Sequence, residues 1–267
     1  MDEMAGTWRD RGEGPISGDR AQQPDSRKPG GIEARETKRV EGNEELSFKW
    51  TKVVHFLERA ELDGVLLRRL ANVYWFTGGA DVHVVGSDAF GAATLLVTPN
   101  SVRVYTTTIE APRLESEEFR GLPFEIVSCD WYSSIEDKLA DVTRGLHVGT
   151  DDPGLADFAS YVEPEFSRLR HHLTPEEAQR YRTAGRLCAS AIEEAAAQVR
   201  PGDSEFAVAG KLERALRERG LRPSVTLVAA DERVSRYRHP IPTSKPVERL
   251  CMLVTCATWK GLVSAAT

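Results

Sequence analysis

Long apolar runs are missing from this sequence of 267 residues. No stretch approaches the roughly 18 consecutive apolar residues that a membrane-spanning helix requires. The first residues, MDEMAGTWRDRGEG, also lack the apolar centre of a secretory signal. The sequence therefore predicts no membrane partner and no secretion, and we expect a cytoplasmic protein.

Cysteine is scarce as well, and the sequence has no excess of positive charge. The sequence contains four cysteines: Cys129, Cys188, Cys251 and Cys256. They form no CxxC pair and are too scattered for a disulfide framework, which agrees with a reducing compartment. Asp and Glu number 41 against 35 Lys and Arg, for a net charge of -6. This balance does not favour a nucleic-acid partner, because nucleic acids are bound by basic surfaces.

Residues 1–44 differ in composition from the rest of the chain. They contain no Leu, Phe or Tyr and mix charged residues with Gly, Pro and Gln without a period. Such a segment cannot bury enough apolar surface to offset the entropy lost on ordering, so we predict a disordered tail. A mis-assigned start codon would give the same composition, and both interpretations stay open.

Strand and helix patterns alternate between residues 45 and 172, which predicts an α/β domain. LSFKWTKVVHFLERAEL predicts a helix, GVLLRR a buried strand, and NVYWFTGG a strand that enters a loop at Gly78-Gly79. GAATLLVTP and SVRVYTTT predict a hairpin around Pro99-Asn100. FEIVSCDW and HVGTDD predict further strands, with a short helix at SSIEDKLADV between them.

Residues 173–267 begin with a strong helix signal. Thr174 and Glu177 have the spacing of a capping box, and Pro175 suits the first turn of the same helix. SEFAVAGKLERALRERG predicts a second amphipathic helix that ends at Gly220. SVTLVAA predicts a strand, and ERLCMLVTCATWKGLVSAAT predicts two more strands joined by a turn at residues 258–261.

The ordered succession of these segments resembles the creatinase, prolidase and aminopeptidase P group across about residues 47–267. The first region carries LERAELDGVLLRRLANVYWFTGG, which is similar to the family's helix, strand and N-x-x-Y-x-T-G pattern. The second carries LTPEEAQRYRTAG, VRPGDSEFAVAGKLERAL and RPSVTLVAADERVSRYRHPIPT. The resemblance implies an α/β (α+β) fold, in which an N-terminal creatinase-like α/β domain precedes the first half of a pita-bread catalytic-type domain.

The resemblance also implies a metal site that this chain does not encode. Peptidases of the group hold two divalent metals, commonly Mn, Co or Zn, through two Asp, one His and two Glu, and a shared hydroxide attacks the peptide carbonyl. Alignment with the pattern D-x-G-x-x-x-x-G-Y-x-x-D-x-T places Val254 or Thr255 at the first Asp and Ala265 at the second. None of these side chains ligates a hard cation as a carboxylate does. The remaining ligands lie in the family beyond the position of Thr267, so we expect no metal, no cofactor and a chain that is inactive as it stands.

His239 is the candidate catalytic residue. In the family, a histidine in the loop before the strand of the first Asp binds substrate or shuttles a proton, and His239 matches it in RYRHPIPT. Imidazole both donates and accepts protons, and Pro240 and Pro242 are expected to stiffen the loop. Arg236 and Arg238 are candidates for binding a substrate carboxylate. The alternative is a solvated loop histidine without a function.

The resemblance also suggests a substrate class and an assembly. It implies a peptide or a small amidine as substrate. Tyr74 in NVYWFTGG lies at an edge of the first domain that reaches a neighbouring subunit's active site in the family, so it is a candidate substrate-binding residue and a homodimer is expected. Packing in the core explains the aromatic cluster of Tyr74, Trp75 and Phe76 equally well.

Three pairs of charged residues have simpler interpretations. Asp151-Asp152, before Pro153, predicts a turn. Glu176-Glu177 predicts favourable negative charge and capping at a helix N-terminus. His171-His172 is expected on the connector between the two regions, without a metal.

Three hypotheses about function follow. The first is a divergent member of the family, a hydrolase of C–N bonds by descent; creatinase cleaves such a bond without a metal, using the same histidine with later glutamates. The second is a non-catalytic protein of the pita-bread fold that binds peptides or partners. The third is an incomplete gene product.

Overall fold

Six strands form the larger of two β-sheets in the computed structural model, which describes residues 43–267 of the chain. They are β1 (Gly64–Arg69), β2 (Phe90–Val97), β3 (Val102–Thr107), β4 (Phe124–Cys129), β5 (Val148–Thr150) and β6 (Ser160–Tyr161). Their order is β4-β3-β2-β1-β5-β6. β2 lies antiparallel to β1 and β3, whereas β1 and β5 are parallel. The carboxyl ends of β1 and β5 therefore lie side by side.

Helices pack on both faces of this sheet. They are α1 (Glu44–Ala60), α2 (Leu70–Thr77), α3 (Ala111–Arg113) with a π-helical turn at Leu114–Glu118, α4 (Ile135–Val142) and α5 (Glu163–Phe166), with 3-10 turns at Pro153–Leu155 and Ser167–Arg170. Leu67 and Leu95 join a core with α1 and α2, while Leu66 and Leu96 join Leu139 of α4 on the other face. This division follows from the two-residue period of strands.

Helix α1 forms as its apolar spacing predicts. Trp50, Val53 and Leu57 recur every three or four residues and are buried. The Asn43 side chain caps the helix by accepting a hydrogen bond from the Leu46 amide at 2.9 Å. Glu61 then adopts a left-handed conformation, with φ at 55°, and ends the helix.

The prediction of a strand in NVYWFTGG is wrong, because these residues belong to α2. Every side chain from Asn72 to Phe76 is buried, so the segment has no polar face from which a helical or strand period could be recognised. The predicted break at Gly78-Gly79 is confirmed: Gly78, with φ at 75°, is the C-cap of the helix.

The smaller sheet has the order β7-β8-β9 and is antiparallel throughout. Its elements are α6 (Pro175–Ala197), α7 (Glu205–Glu218), β7 (Arg222–Ala230), α8 (Glu232–Arg236), β8 (Cys251–Trp259) and β9 (Leu262–Ala266). Ala191 of α6 and Leu212 of α7 share a core with Val228, Leu253 and Ala257. The predicted capping box is confirmed, since both of its reciprocal hydrogen bonds are present at the start of α6.

Buried ion pairs join helix α1, which packs on the larger sheet, to helix α6, which packs on the smaller sheet. The Lys49 side chain of α1 is fully buried, and its Nζ contacts Glu45 at 2.5 Å and Glu177 of α6 at 2.8 Å. Arg180 of α6 donates two hydrogen bonds to Glu45, at 2.6 and 2.7 Å. The β8–β9 turn packs beside them, where the Gly261 backbone lies against Tyr74 of α2. We call these contacts the junction.

The structure does not test the two segment boundaries predicted from the sequence. Residues 1–42 of the predicted tail lie outside the described residues. Both sheets belong to one compact unit, and the division at residue 172 stays a prediction. No helix among residues 43–267 combines the length and apolar character needed to cross a membrane.

Candidate functional site

The two faces of the smaller sheet differ in what covers them. Leu253 and Ala257 of β8 face the core with α6 and α7. Because side chains alternate along a strand, Val254 and Cys256 point to the opposite face. Ala265 of β9 pairs with Cys256 and therefore shares that face. We call it the open face, since Val254 and Cys256 are only partly buried and Ala265 is exposed.

The open face does not suit a divalent metal pair. Val254 and Ala265, at positions that the resemblance assigns to aspartates, are hydrocarbon side chains, and Thr255, the other candidate for the first position, is fully buried. Cys256 contributes one thiol, a poor ligand for hard cations. Among residues 43–267, no group of three or more His, Cys, Asp and Glu is placed to hold a metal ion. The residues present therefore do not fit the metal pair of the peptidases.

The loop from Asp231 to Leu250 joins β7 to β8 and carries His239. We call residues 231–250 the His239 loop. It starts with the short helix α8, whose last residue is Arg236, and continues to Arg238 and His239; these three predicted site residues are all exposed. The next residue, Pro240, is buried. The structure thus brings the histidine and two guanidinium groups into one surface segment.

Glu205 lies beneath this segment and was not singled out from the sequence. It is the first residue of α7 and is fully buried. Its carboxylate accepts hydrogen bonds from the Ala230 amide at 2.8 Å, from the Thr243 amide at 2.8 Å and hydroxyl at 2.7 Å, and from the Arg233 guanidinium. Burial alone would raise its pKa, but these donors hold the pKa of Glu205 below its ordinary value.

Tyr74, the fourth predicted site residue, lies elsewhere. Its side chain is buried at the junction, where the hydroxyl donates to Asp81 Oδ1 at 2.5 Å and accepts from Arg222 at 3.2 Å. Burial and the hydrogen bond to Asp81 raise the pKa of Tyr74 far above its ordinary value. Arg222 begins β7 and the His239 loop follows its end, so the nine residues of β7, roughly 27 Å, separate the two places. A substrate-binding role for Tyr74 stays a prediction.

Comparison with known proteins identifies the first region. Residues 49–161 match the family described as the Creatinase/Prolidase N-terminal domain. The match begins within α1 and covers the strands of the larger sheet from β1 to β6, which confirms the family predicted from the order of the segments. A comparison with curated proteins finds no match.

Solved structures similar to this chain extend the likeness beyond the creatinase/prolidase domain. An Xaa-Pro dipeptidase from Bacillus anthracis is 17% identical with a TM-score of 0.62, over 82% of this chain and 63% of its own. An X-Pro aminopeptidase from Thermotoga maritima is 18% identical with a TM-score of 0.64, over 81% and 63%. A prolidase from Pyrococcus furiosus is 20% identical with a TM-score of 0.63, over 80% and 68%. At this identity the likeness shows the fold, and the predicted fold class is confirmed; the chain spans less than two thirds of the first two proteins.

A buried polar cluster lies where β1 and β5 of the creatinase/prolidase domain end. Asp151 is fully buried and accepts hydrogen bonds from the Arg68 amide at 2.8 Å, the Arg69 amide at 3.0 Å and the Asn72 side chain at 2.9 Å. Burial raises the pKa of Asp151 to about 6. The predicted turn is confirmed for Asp152, which caps the following 3-10 turn. This role of Asp151 was not predicted from the sequence; its position directly after a strand was the signal that could have indicated it.

The other charged pairs are partly as predicted. Glu177 caps α6, but its contact with the buried Lys49 was not predicted, because 128 residues separate the two in the sequence. His171 and His172 are exposed and lie between the last 3-10 turn of the first region and α6, as expected for a connector.

Proposed function

We propose that this protein is a divergent member of the creatinase, prolidase and aminopeptidase P group that binds a peptide or a small amidine at the open face and the His239 loop, without a divalent metal pair. One observation carries the proposal: the fold and the exposed His239 are retained, while Val254 and Ala265 stand where carboxylates would hold metals. The substrate class is inferred from the creatinase, prolidase and aminopeptidase P group. The absence of a metal pair is inferred from the side chains of Val254 and Ala265.

The His239 loop offers groups for an anionic ligand. Neither Arg236 nor Arg238 forms an ion pair with any other residue in the part of the chain that the structure describes. An exposed guanidinium without a carboxylate partner is free to bind a ligand carboxylate through two parallel hydrogen bonds. His239 supplies a ring nitrogen that donates or accepts next to it. We therefore propose a ligand with a carboxylate near an amide or amidine nitrogen.

Metal-independent hydrolysis is the second candidate function. The exposed imidazole of His239 favours it, since a histidine is able to accept a proton from an attacking group and return it to a leaving nitrogen. Binding without turnover follows if no further acid or base completes the site. Measured turnover of an amide or amidine bond therefore separates the two candidates.

The test uses purified protein, with the dipeptide Ala-Pro and creatine as probes. We expect calorimetry to detect binding of at least one probe, and His239→Ala to weaken it at least about tenfold, the effect of losing one well-placed hydrogen bond to a charged group. His55→Ala, which removes another exposed histidine on α1, is the matched control and should leave affinity unchanged.

Three results would count against the proposal. Binding of neither probe removes the substrate class, and equal affinity of wild type and His239→Ala removes the role of His239. Elemental analysis that finds stoichiometric Mn, Co or Zn contradicts the absence of a metal site. We also propose a cytoplasmic homodimer, and light scattering of the same preparation measures its mass.

A further inference from the structure

The His239 loop is held at its two ends by one side chain. Asp231 has φ at 52° and ψ at -119°, a backbone conformation that residues other than glycine rarely adopt. Its carboxylate accepts hydrogen bonds from the amides of Glu248 at 2.9 Å, Arg249 at 2.9 Å and Leu250 at 3.0 Å. The Asp231 amide also donates to the Leu250 carbonyl at 2.8 Å. These four bonds tie the first residue of the loop to the last three and offset the cost of the unusual backbone.

The middle of the loop is held by Glu205. The same carboxylate binds Arg233 before the exposed segment and Thr243 after it. Arg233 also donates to the Ile241 carbonyl at 3.0 Å, so the two sides of the segment are connected directly. Glu205 thereby fixes the distance between Arg233 and Thr243, the two residues that flank residues 234–242.

Main-chain hydrogen bonds complete the support. The residues that precede and begin α7 pair with the second half of the loop through their backbones. The pairs are Glu205 to Lys245 at 3.0 Å, Phe206 to Thr243 at 3.1 Å, Gly202 to Val247 at 2.8 Å and Val247 to Asp203 at 2.9 Å. The side chains from Arg236 to His239 remain exposed above this support.

We propose that Glu205, together with Thr243, positions His239 by holding residues 234–242 in one conformation before a ligand arrives. A loop that is already ordered loses less conformational entropy on binding than a mobile one, so affinity rises without a new contact. Glu205 acts through Arg233 and Thr243 and does not touch the ligand. The importance of His239 rests on the proposed function, whereas the ordering of the loop does not.

Amide hydrogen exchange of the ligand-free protein tests the ordering. Glu205→Gln replaces a carboxylate that accepts four hydrogen bonds by an amide that also carries two donors, and it should accelerate exchange of the amides of residues 232–245 at least about tenfold. Glu213→Gln, on the exposed side of α7, is the matched control and should leave these rates unchanged.

Thr243→Val provides a milder variant in case Glu205→Gln fails to fold. It has nearly the same shape and removes only the hydroxyl that donates to Glu205, while Thr243→Ser keeps that hydroxyl. We expect faster exchange in residues 232–245 and weaker Ala-Pro or creatine binding for Thr243→Val, with both restored in Thr243→Ser. A purely structural role would lower the melting temperature without changing exchange selectively in the loop.

The outcomes for the loop and for the function are distinguishable. Unchanged exchange in both Glu205→Gln and Thr243→Val overturns the positioning role, whatever the ligand. Faster exchange with no probe binding by wild type supports the positioning role and rejects the proposed substrate class.

Discussion

Two buried carboxylates show how surroundings set a pKa at the scale of single residues. Burial raises the pKa of both, but Glu205 meets a guanidinium and several other donors, which hold its pKa below the ordinary value. Asp151 is bound by the Asn72 amide and two backbone amides without a direct positive partner, so burial dominates and its pKa rises to about 6. The same residue chemistry therefore gives opposite shifts.

Asp151 should titrate near neutrality. We expect carbon-13 NMR to show a carboxyl midpoint near pH 6 in the folded protein. Because the folded pKa is above the ordinary value of 3.8, the stabilising contribution of this group is complete below pH 3.8 and is lost as the pH rises through about 6. The loss amounts to at most on the order of 3 kcal/mol. A midpoint below pH 4 would contradict the assignment.

At the scale of elements, glycines set how closely the turns approach their neighbours. Gly261 has φ at 77°, and an added Cβ would lie 2.2 Å from the Tyr74 Cβ. The preceding Lys260 also has a positive φ, of 47°, so both residues of this two-residue turn have the backbone sign that tight hairpins require. Gly210, inside α7, has open space where its Cβ would be. The two glycines therefore differ in what an alanine would meet.

Gly261→Ala and Gly210→Ala should have opposite effects on stability. Gly261→Ala combines a strained backbone with overlap against Tyr74, and we expect the free energy of unfolding to fall by about 2–4 kcal/mol. Gly210→Ala should raise it by about 0.5–1 kcal/mol, because alanine favours the helix. Urea unfolding of both variants measures the difference. Equal stability of the two would show that the turn does not pack against α2 as described.

Most elements follow from the sequence, because their signals are local. The Thr174–Glu177 capping box and the Pro99-Asn100 turn each act within a few residues. Helix α2 was missed for a physical reason: a segment buried on all sides shows no period, and only its neighbours select the helix.

At the scale of the whole molecule, the junction joins helix α1 on the larger sheet to helix α6 on the smaller sheet through largely buried charges. Lys49 is fully buried, and its ammonium contacts Glu45 and Glu177 and donates to the Trp75 carbonyl at 2.5 Å. Removing these ions from water costs free energy, and the attraction between their opposite charges offsets that cost. The bidentate contact of Arg180 with Glu45 extends the network across the junction.

Lys49→Met should therefore destabilise the whole unit. Loss of the ammonium leaves two acidic groups short of a positive partner, and we expect the free energy of unfolding to fall by about 3–5 kcal/mol. Lys52→Met, one turn along α1, removes a partly exposed lysine and should cost less than about 1 kcal/mol. Calorimetric unfolding compares the two variants. A change in Lys49→Met no larger than that in Lys52→Met would reject the network as a source of stability.

The sequence by itself determined the positions of the caps, turns and amphipathic helices, and the hydrocarbon side chains at Val254 and Ala265. These features depend on residue type and on spacing of a few residues. Only the tertiary structure decided the burial of Lys49 with Glu177, the separation of Tyr74 from His239, and the placement of Glu205 beneath the His239 loop. The physical reason is that burial and charge pairing arise between residues far apart in the chain, so no local pattern records them.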